Sequence, residues 1–234
     1  RGEGAQAVPA GDAALALALA CGDASCIARS RRVLGSCLSI VDRLEEAARH
    51  LEAALAWLAQ HADDARVGEA HGDLALIYDN LGRPVEALPH HRSAYDLCVR
   101  AGRMNDAASA SGNLACNRID AGDLSAADDA LVLSQQLAAA GEGESSQQGM
   151  WQTMRALPLA HLGRYREALA QAELGELATR RSQAGYHALA RLRTAQVWWH
   201  LGQWARVHQC LEGLSDAADE GLPLRMHHAL LRWH

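Results

Sequence analysis

"HLGRYREAL", His161 to Leu169, returns as "HLGQWARVHQCL", His200 to Leu211, and is anticipated by "NLGRPVEAL", Asn80 to Leu88. Weaker copies are "DAGDLSAADDAL", Asp120 to Leu131, and "IVDRLEEAARHL", Ile40 to Leu51. With the glycine as marker, the copies stand at Asp42, Gly82, Gly122, Gly163 and Gly202, spaced by 40, 40, 41 and 39 residues. A fixed period of this size signals a repeat array. Other positions keep the same register. Seven residues before the marker stand Gly35, Ala75, Ala115, Ala156 and Ala195. Five after it stand Ala47, Ala87, Ala127, Ala168 and Val207. The residue before it is always apolar, and the second residue after it is Leu44, Pro84, Leu124, Tyr165 or Trp204.

Small residues let two helix axes approach, and bulky ones fill the groove beside them. The marker glycine ends a first helix, where a left-handed backbone costs Gly little. Asp42 tolerates that region better than most residues. Pro84 opens a second helix, where its missing N–H does no harm. A second set of breaks falls between repeats, at 61–64, Gly102, 141–146, 180–183 and 219–223. The spacing therefore predicts first helices near 24–41, 65–81, 104–121, 145–162 and 184–201. Second helices are expected near 44–60, 84–101, 124–140, 165–180 and 204–218.

Composition agrees with an all-α chain. Of 234 residues, 49% are hydrophobic but only 4% aromatic, with no Phe. Ala and Leu carry the apolar content and favour helices, whereas residues suited to sheets are sparse. All 22 basic residues are Arg, a bias expected of a GC-rich, bacterial genome. The net charge of −6 repels phosphate backbones, so direct nucleic-acid contact is not expected. The six cysteines form no Cys-x-x-Cys pair and are expected to be small buried residues in a reducing, cytoplasmic compartment. "AALALALAC", Ala13 to Cys21, has the look of a signal h-region, but no basic segment leads it beyond Arg1, so a buried helix is expected. It is too short to span a bilayer.

The organisation expected is a partial repeat over 1–23, its residues 10–21 forming a second helix without its partner. Five helix-pair repeats follow over 24–219, and 220–234 forms the first helix of a further repeat. The chain opens on Arg1 and both ends look cut, as in part of a longer array.

Together these residues resemble the tetratricopeptide repeat family. "GDLALIYDNLGRPVEALPHHRSAYDL", Gly72 to Leu97, places Leu74, Ala75, Tyr78, Gly82, Ala87 and Ala94 as that family does. Asn113, Leu114 and Ala115 also fit, while Arg118 stands where an aromatic is usual. The period near 40 resembles the long-helix variety found in large ATP-dependent bacterial transcription activators and in some eukaryotic scaffolds. The resemblance implies a right-handed α-α superhelix whose first helices line a groove for a peptide, a helix or a partner domain. It is specific for fold and weak for function.

In that register the groove candidates are Arg29, Arg32, Asp79, Asn80, Cys116, Asp120, His161, Gln196, Trp199 and His200, with Ser36, Glu69 and Ser109 beside them. Arg29 and Arg32 lie one turn apart and could both face one anion, or form a solvated basic face. Trp198 is expected in the repeat core and Trp199 in the groove as a partner anchor, or under a following repeat. The lysine clamp of chaperone-tail binders has no counterpart here, and Arg replaces it only in part. Adjacent histidines, His90-His91 and His227-His228, point about 100° apart on a helix and rarely chelate one metal, so no metal site is expected. No P-loop, His-Glu-x-x-His or Gly-x-Ser-x-Gly occurs in the sequence. The expectation is a binding module without cofactor, its partner a protein or peptide or a small-molecule inducer. Self-association through the repeat ends is a further expectation. A sensor arm of a transcriptional regulator and a free-standing scaffold both fit.

Overall fold

The computed structural model describes the backbone of residues 2–140, 145–180 and 184–212. Among these residues it contains helices and turns and no strand. The helices are α1 (Gly2–Cys21), α2 (Ala24–Ile40), α3 (Leu44–His61), α4 (Asp64–Asn80), α5 (Pro84–Arg100) and α6 (Met104–Asp120). They continue with α7 (Leu124–Ala140), α8 (Ser145–His161), α9 (Tyr165–Thr179), α10 (Ala184–His200) and α11 (Trp204–Leu211). The chain divides into two compact units, Arg1–Asn117 and Arg118–His234.

The marker turns carry the fold. Gly82, Gly122, Gly163 and Gly202 have φ of 72°, 79°, 77° and 68°, and Asp42 is the non-glycine residue that shares this region, at 63°. Each turn is closed by the same bond, from the N–H two residues into the turn to a carbonyl five residues back. Examples are Arg83 N to Tyr78 O at 2.8 Å and Gln203 N to Trp198 O at 3.0 Å. This bond satisfies a carbonyl that a helix end leaves orphaned, and short turns of this kind fold consecutive helices back on each other.

Packing follows the small columns. Ala75, Ala115, Ala156 and Ala195 are fully buried, as are Ala47, Ala87, Ala127 and Ala168. A Cβ on Gly35 would meet Leu51 Cγ at 2.7 Å, so α2 and α3 touch through the missing side chain. In the first unit Leu34, Leu38, Leu51, Leu74 and Ile77 form the core over α2–α4. In the second, Ala156, Leu159, Ala168, Ala172 and Val197 join α8, α9 and α10.

Two expectations need adjustment, on α1 and on the cysteines, and two run beyond the described residues. Helix α1 runs from Gly2 rather than from about residue 10, because its Pro9 does not end it. Within it Leu15 and Ala18 are buried, and α1 packs on α2, where a Cβ on Gly11 would meet Leu34 at 3.0 Å. Helix α11 is described only to Leu211, and the expected helix over 220–234, with His227, His228 and Trp233, lies outside the described residues. The cysteines are not uniformly buried: Cys98 is, but Cys21 and Cys26 are exposed. Both flank the α1–α2 turn, Cys21 at the end of α1 and Cys26 in the first turn of α2. Among the described residues, no helix is long and apolar enough to cross a membrane.

Candidate functional site

The position two before each marker is exposed in every helix pair. It is held by Ile40, Asn80, Asp120, His161 and His200. These side chains stand at the last turn of a first helix, just before the backbone reverses. Four of them were candidates on register alone.

The first unit ties its charges to one another. Arg32 on α2 donates through Nη1 to Glu69 at 2.8 Å and through Nε to Asp73 at 2.9 Å, both on α4. Arg103, in the turn before α6, donates to the other oxygen of Glu69 and pairs with Asp106. Arg32 is therefore neutralised by α4 carboxylates, and it does not form with exposed Arg29 the shared anion cradle their spacing allowed.

Asp79 is a second correction. Its side chain is only 5% exposed. Its Oδ2 accepts from His91 Nε2 at 2.7 Å, and its Oδ1 accepts from Asn117 Nδ2 at 3.0 Å, which also donates to Pro84 O at 3.0 Å. Helix α4 thus holds a carboxylate inside the layer it shares with α5 and α6. Burial of a charged group without such donors is costly, and here two donors converge on it. His91 is fully buried, and its other nitrogen, Nδ1, has no protein partner. Sequence reasoning missed His91 and Asn117. The signal was present: His91 stands where the other pairs have Leu51, Leu131 and Ala172, and Asn117 where they have Cys37, Ile77, Pro158 and Val197.

Beside this triad, His71 Nδ1 and His90 Nδ1 are 2.8 Å apart, one donating to the other. Burial, with His90 adjacent, pushes His71 down to about 4. Burial, then the neighbouring His91, also lowers His90. Tyr78 donates its hydroxyl to Glu52 and is raised to about 12 by burial and that carboxylate. The adjacent histidines His90 and His91 therefore face different neighbours, as their helical spacing requires.

In the second unit Asp128, on α7 and 8% exposed, is clasped by Arg155 of α8 and by Arg164 at 2.8 Å. Arg155 takes a position filled by Leu34, Leu74 and Leu114 elsewhere. Gln196 is a third correction: it is 9% exposed and accepts from Arg193 Nη1 at 2.8 Å. Both Asp79 and Gln196 lie on the border between the packed and open faces of a first helix, where the period does not say which way a polar side chain turns. Cys116 is half-buried, and Asp120 is exposed.

The α8–α9 and α10–α11 turns lie side by side, joined by the rings of His161 and His200, whose centroids are 4.4 Å apart. Burial, then His200 and Arg193, lowers the pKa of His161. Trp199 is 46% exposed and meets the 51%-exposed Trp204 edge to face at 4.4 Å. Trp198 is half-buried, with the Arg206 guanidinium 4.6 Å from its ring centre. Leu162 and Tyr165 are exposed on the neighbouring turn. Trp204 was read from the sequence only as a bulky turn residue. Among the described residues no group of three or more His, Cys, Asp or Glu side chains is placed to hold a metal ion.

This geometry is that of a known class. The structure of BtubC (BKLC) from P. vanneervenii superposes with a TM-score of 0.73 at 15% identity, over 99% of this chain and 93% of that one. A putative kinesin light chain from Podosopora anserina, described as nearly identical TPR-like repeats, gives a TM-score of 0.65 at 17% identity, over 82% and 94%. A Rap protein complexed with Competence and Sporulation Factor gives 0.71 at 14% identity, over 82% and 54%. At such identities the likeness concerns the fold, which is all-α and of the tetratricopeptide-like superhelical repeat class. No family model matches the sequence, and no curated protein does.

Proposed function

We propose that the chain is a non-catalytic binding module of tetratricopeptide-like helix pairs and serves as the sensor or interaction arm of a larger bacterial transcriptional regulator. One observation carries the binding reading. The column two before each turn is exposed in all five helix pairs, while the columns seven before and five after are closed by small buried residues. The scaffold is thus constant where it packs and variable where it meets solvent, the division a binding repeat needs.

The partner in this reading is a protein or peptide, with a small-molecule inducer as the regulatory variant. The Rap structure complexed with Competence and Sporulation Factor supports a factor-binding role on this scaffold. The regulator reading rests on the long period. The net charge of −6 argues against direct nucleic-acid contact by this segment, and a cytoplasmic setting suits cysteines that form no disulfide.

The test is affinity capture from the source organism, with Asn80→Ala, His161→Ala and His200→Ala combined as the comparison. The expected result is a partner lost on substitution at unchanged thermal stability. Equal capture by both chains contradicts the reading. The complete reading frame decides the finer point. A P-loop and a DNA-binding helix pair beside the repeats support the regulator. A frame consisting of repeats alone makes the protein a free-standing scaffold.

A further inference from the structure

Charge is distributed unevenly along this chain. From Leu177 to Leu211 there is no Asp or Glu, while Arg180, Arg181, Arg191, Arg193 and Arg206 all fall there, in a chain whose net charge is −6. This stretch includes α10 and α11. Arg191 donates to the backbone oxygen of Gln209 at 3.0 Å, and Arg206 lies over the Trp198 ring; both contacts are with uncharged groups. The same turn exposes Trp199 and Trp204, with Leu162 and Tyr165 on the turn alongside. Arg164, which adjoins them, is matched by Glu167 and Asp128. Arg191 stands roughly 12 Å back along α10 from Trp199, where Glu176 of α9 acts on Cys210 together with Arg191 and Arg206, so Arg206 is the arginine that belongs to the turn itself.

Large exposed apolar side chains gathered in one place mark an interaction surface. Trp and Arg are the residues that most often anchor one. We propose that the surface formed by the α8–α9 and α10–α11 turns binds an acidic peptide segment of a partner protein. Its carboxylates meet Arg206, and its apolar side chains lie against Trp199, Trp204 and Tyr165. Charge complementarity selects this occupant, because the longest acid-free stretch of an acidic protein carries the exposed Trp199 and Trp204. A nucleic acid would also meet arginine and aromatic faces, but a phosphate backbone is repelled at longer range by the acidic remainder of the chain. This inference rests on the binding reading above and assigns it a place and a chemistry.

The experiment uses the whole chain and a fluorescein-labelled 12-residue peptide of Asp and Glu interleaved with Leu. Its Asn/Gln counterpart and a 12-nucleotide single strand serve as comparators, all followed by fluorescence anisotropy. The expected result is saturable binding of the acidic peptide that weakens with added salt. Trp199→Ala/Trp204→Ala should weaken it by about tenfold or more. Arg206→Gln, at an exposed site, should weaken it several-fold with the melting curve unchanged. Absence of binding, equal binding of the Asn/Gln peptide, or variants that bind as well as the wild type each overturn the proposal. Tighter binding of the oligonucleotide overturns it in favour of a nucleic-acid surface. A dimer in sedimentation that Trp204→Ala abolishes overturns it in favour of a second copy. If the acidic peptide fails while a captured partner still depends on Asn80, this surface is wrong and the binding reading survives.

Discussion

The α4–α5 and α10–α11 pairs share a turn, φ near +70° at Gly82 and Gly202, yet they direct their polar groups oppositely. In α4–α5 the carboxylate of Asp79 is turned inward onto His91 and Asn117, and Glu69 and Asp73 are matched by Arg32 and Arg103. In α10–α11 the acids are gone, the arginines rest on carbonyl and ring, and two tryptophans stand in solvent. Backbone geometry is set by the columns of small residues, which both pairs keep. Chemistry is set by columns the packing leaves open, and there the pairs diverge. One region is built to hold itself together; the other is built to be covered.

The sharpest way to break this contrast is at the buried triad. Asp79→Ala leaves His91 and Asn117 without their acceptor and should destabilise the chain by about 3 kcal/mol in urea unfolding. Asp79→Ala with His91→Leu and Asn117→Ile gives α4–α5–α6 the residue types that other pairs use. That variant should recover most of the loss, since a buried polar cluster exchanged whole for apolar residues is often near neutral. A triple variant as unstable as the single one would mean that the polar cluster itself, and not its satisfaction, holds these helices.

Close packing is the next test. Ala115 is fully buried in the column seven before the marker, so Ala115→Leu should cost roughly 1–3 kcal/mol by overpacking. Gly175→Ala should cost a comparable amount or more. Its Cβ would stand 2.1 Å from Thr153 Oγ1 and 2.9 Å from the Gly149 carbonyl, so α9 must move off α8. Unchanged melting of either variant would show the helix register to be misplaced.

The turns and their columns were legible because backbone reversal and axial contact admit few residue types. Glycine recurs at positive φ and alanine at each crossing, and even Asp42 could be read as a stand-in. The destination of polar side chains was less legible. Asp79 and Gln196 fell on the correct helices but turn inward: Asp79 meets His91 of α5 and Asn117 of α6, and Gln196 meets Arg193 one turn back on its own helix. Departures from a column were the better guide. Histidine at 91 and asparagine at 117 occupy places that apolar residues fill elsewhere, arginine at 155 one that three other pairs fill with leucine, and each is paired inside.

Acidification separates the two regions more gently. His71 titrates at about 4 in the folded chain, held down by burial and His90, against about 6.5 when unfolded. The unfolded state therefore binds more protons between these values, so stability is complete above about pH 6.5 and falls as pH drops towards 4. His90, lowered by burial and His91, acts in the same direction. The denaturation midpoint should fall between pH 7 and pH 5, and His71→Gln should flatten that fall. A fall of the same size in the variant would remove His71 from the account.

Surface changes should have the smallest effect on stability. Arg32→Gln removes a half-exposed ion-pair network and should cost less than about 1 kcal/mol. Trp204→Ala should change stability by less than about 0.5 kcal/mol, while altering binding strongly. A large loss of stability in Trp204→Ala would make that ring part of the packing and dissolve the contrast between the regions.

Hydrogen–deuterium exchange with and without the acidic peptide tests the central claim most directly. The account predicts slowed exchange concentrated at the α8–α9 and α10–α11 turns, residues 161–166 and 199–206, with α2 and α4 unaltered. Slowed exchange in α2 and α4, with residues 199–206 unaltered, would contradict it.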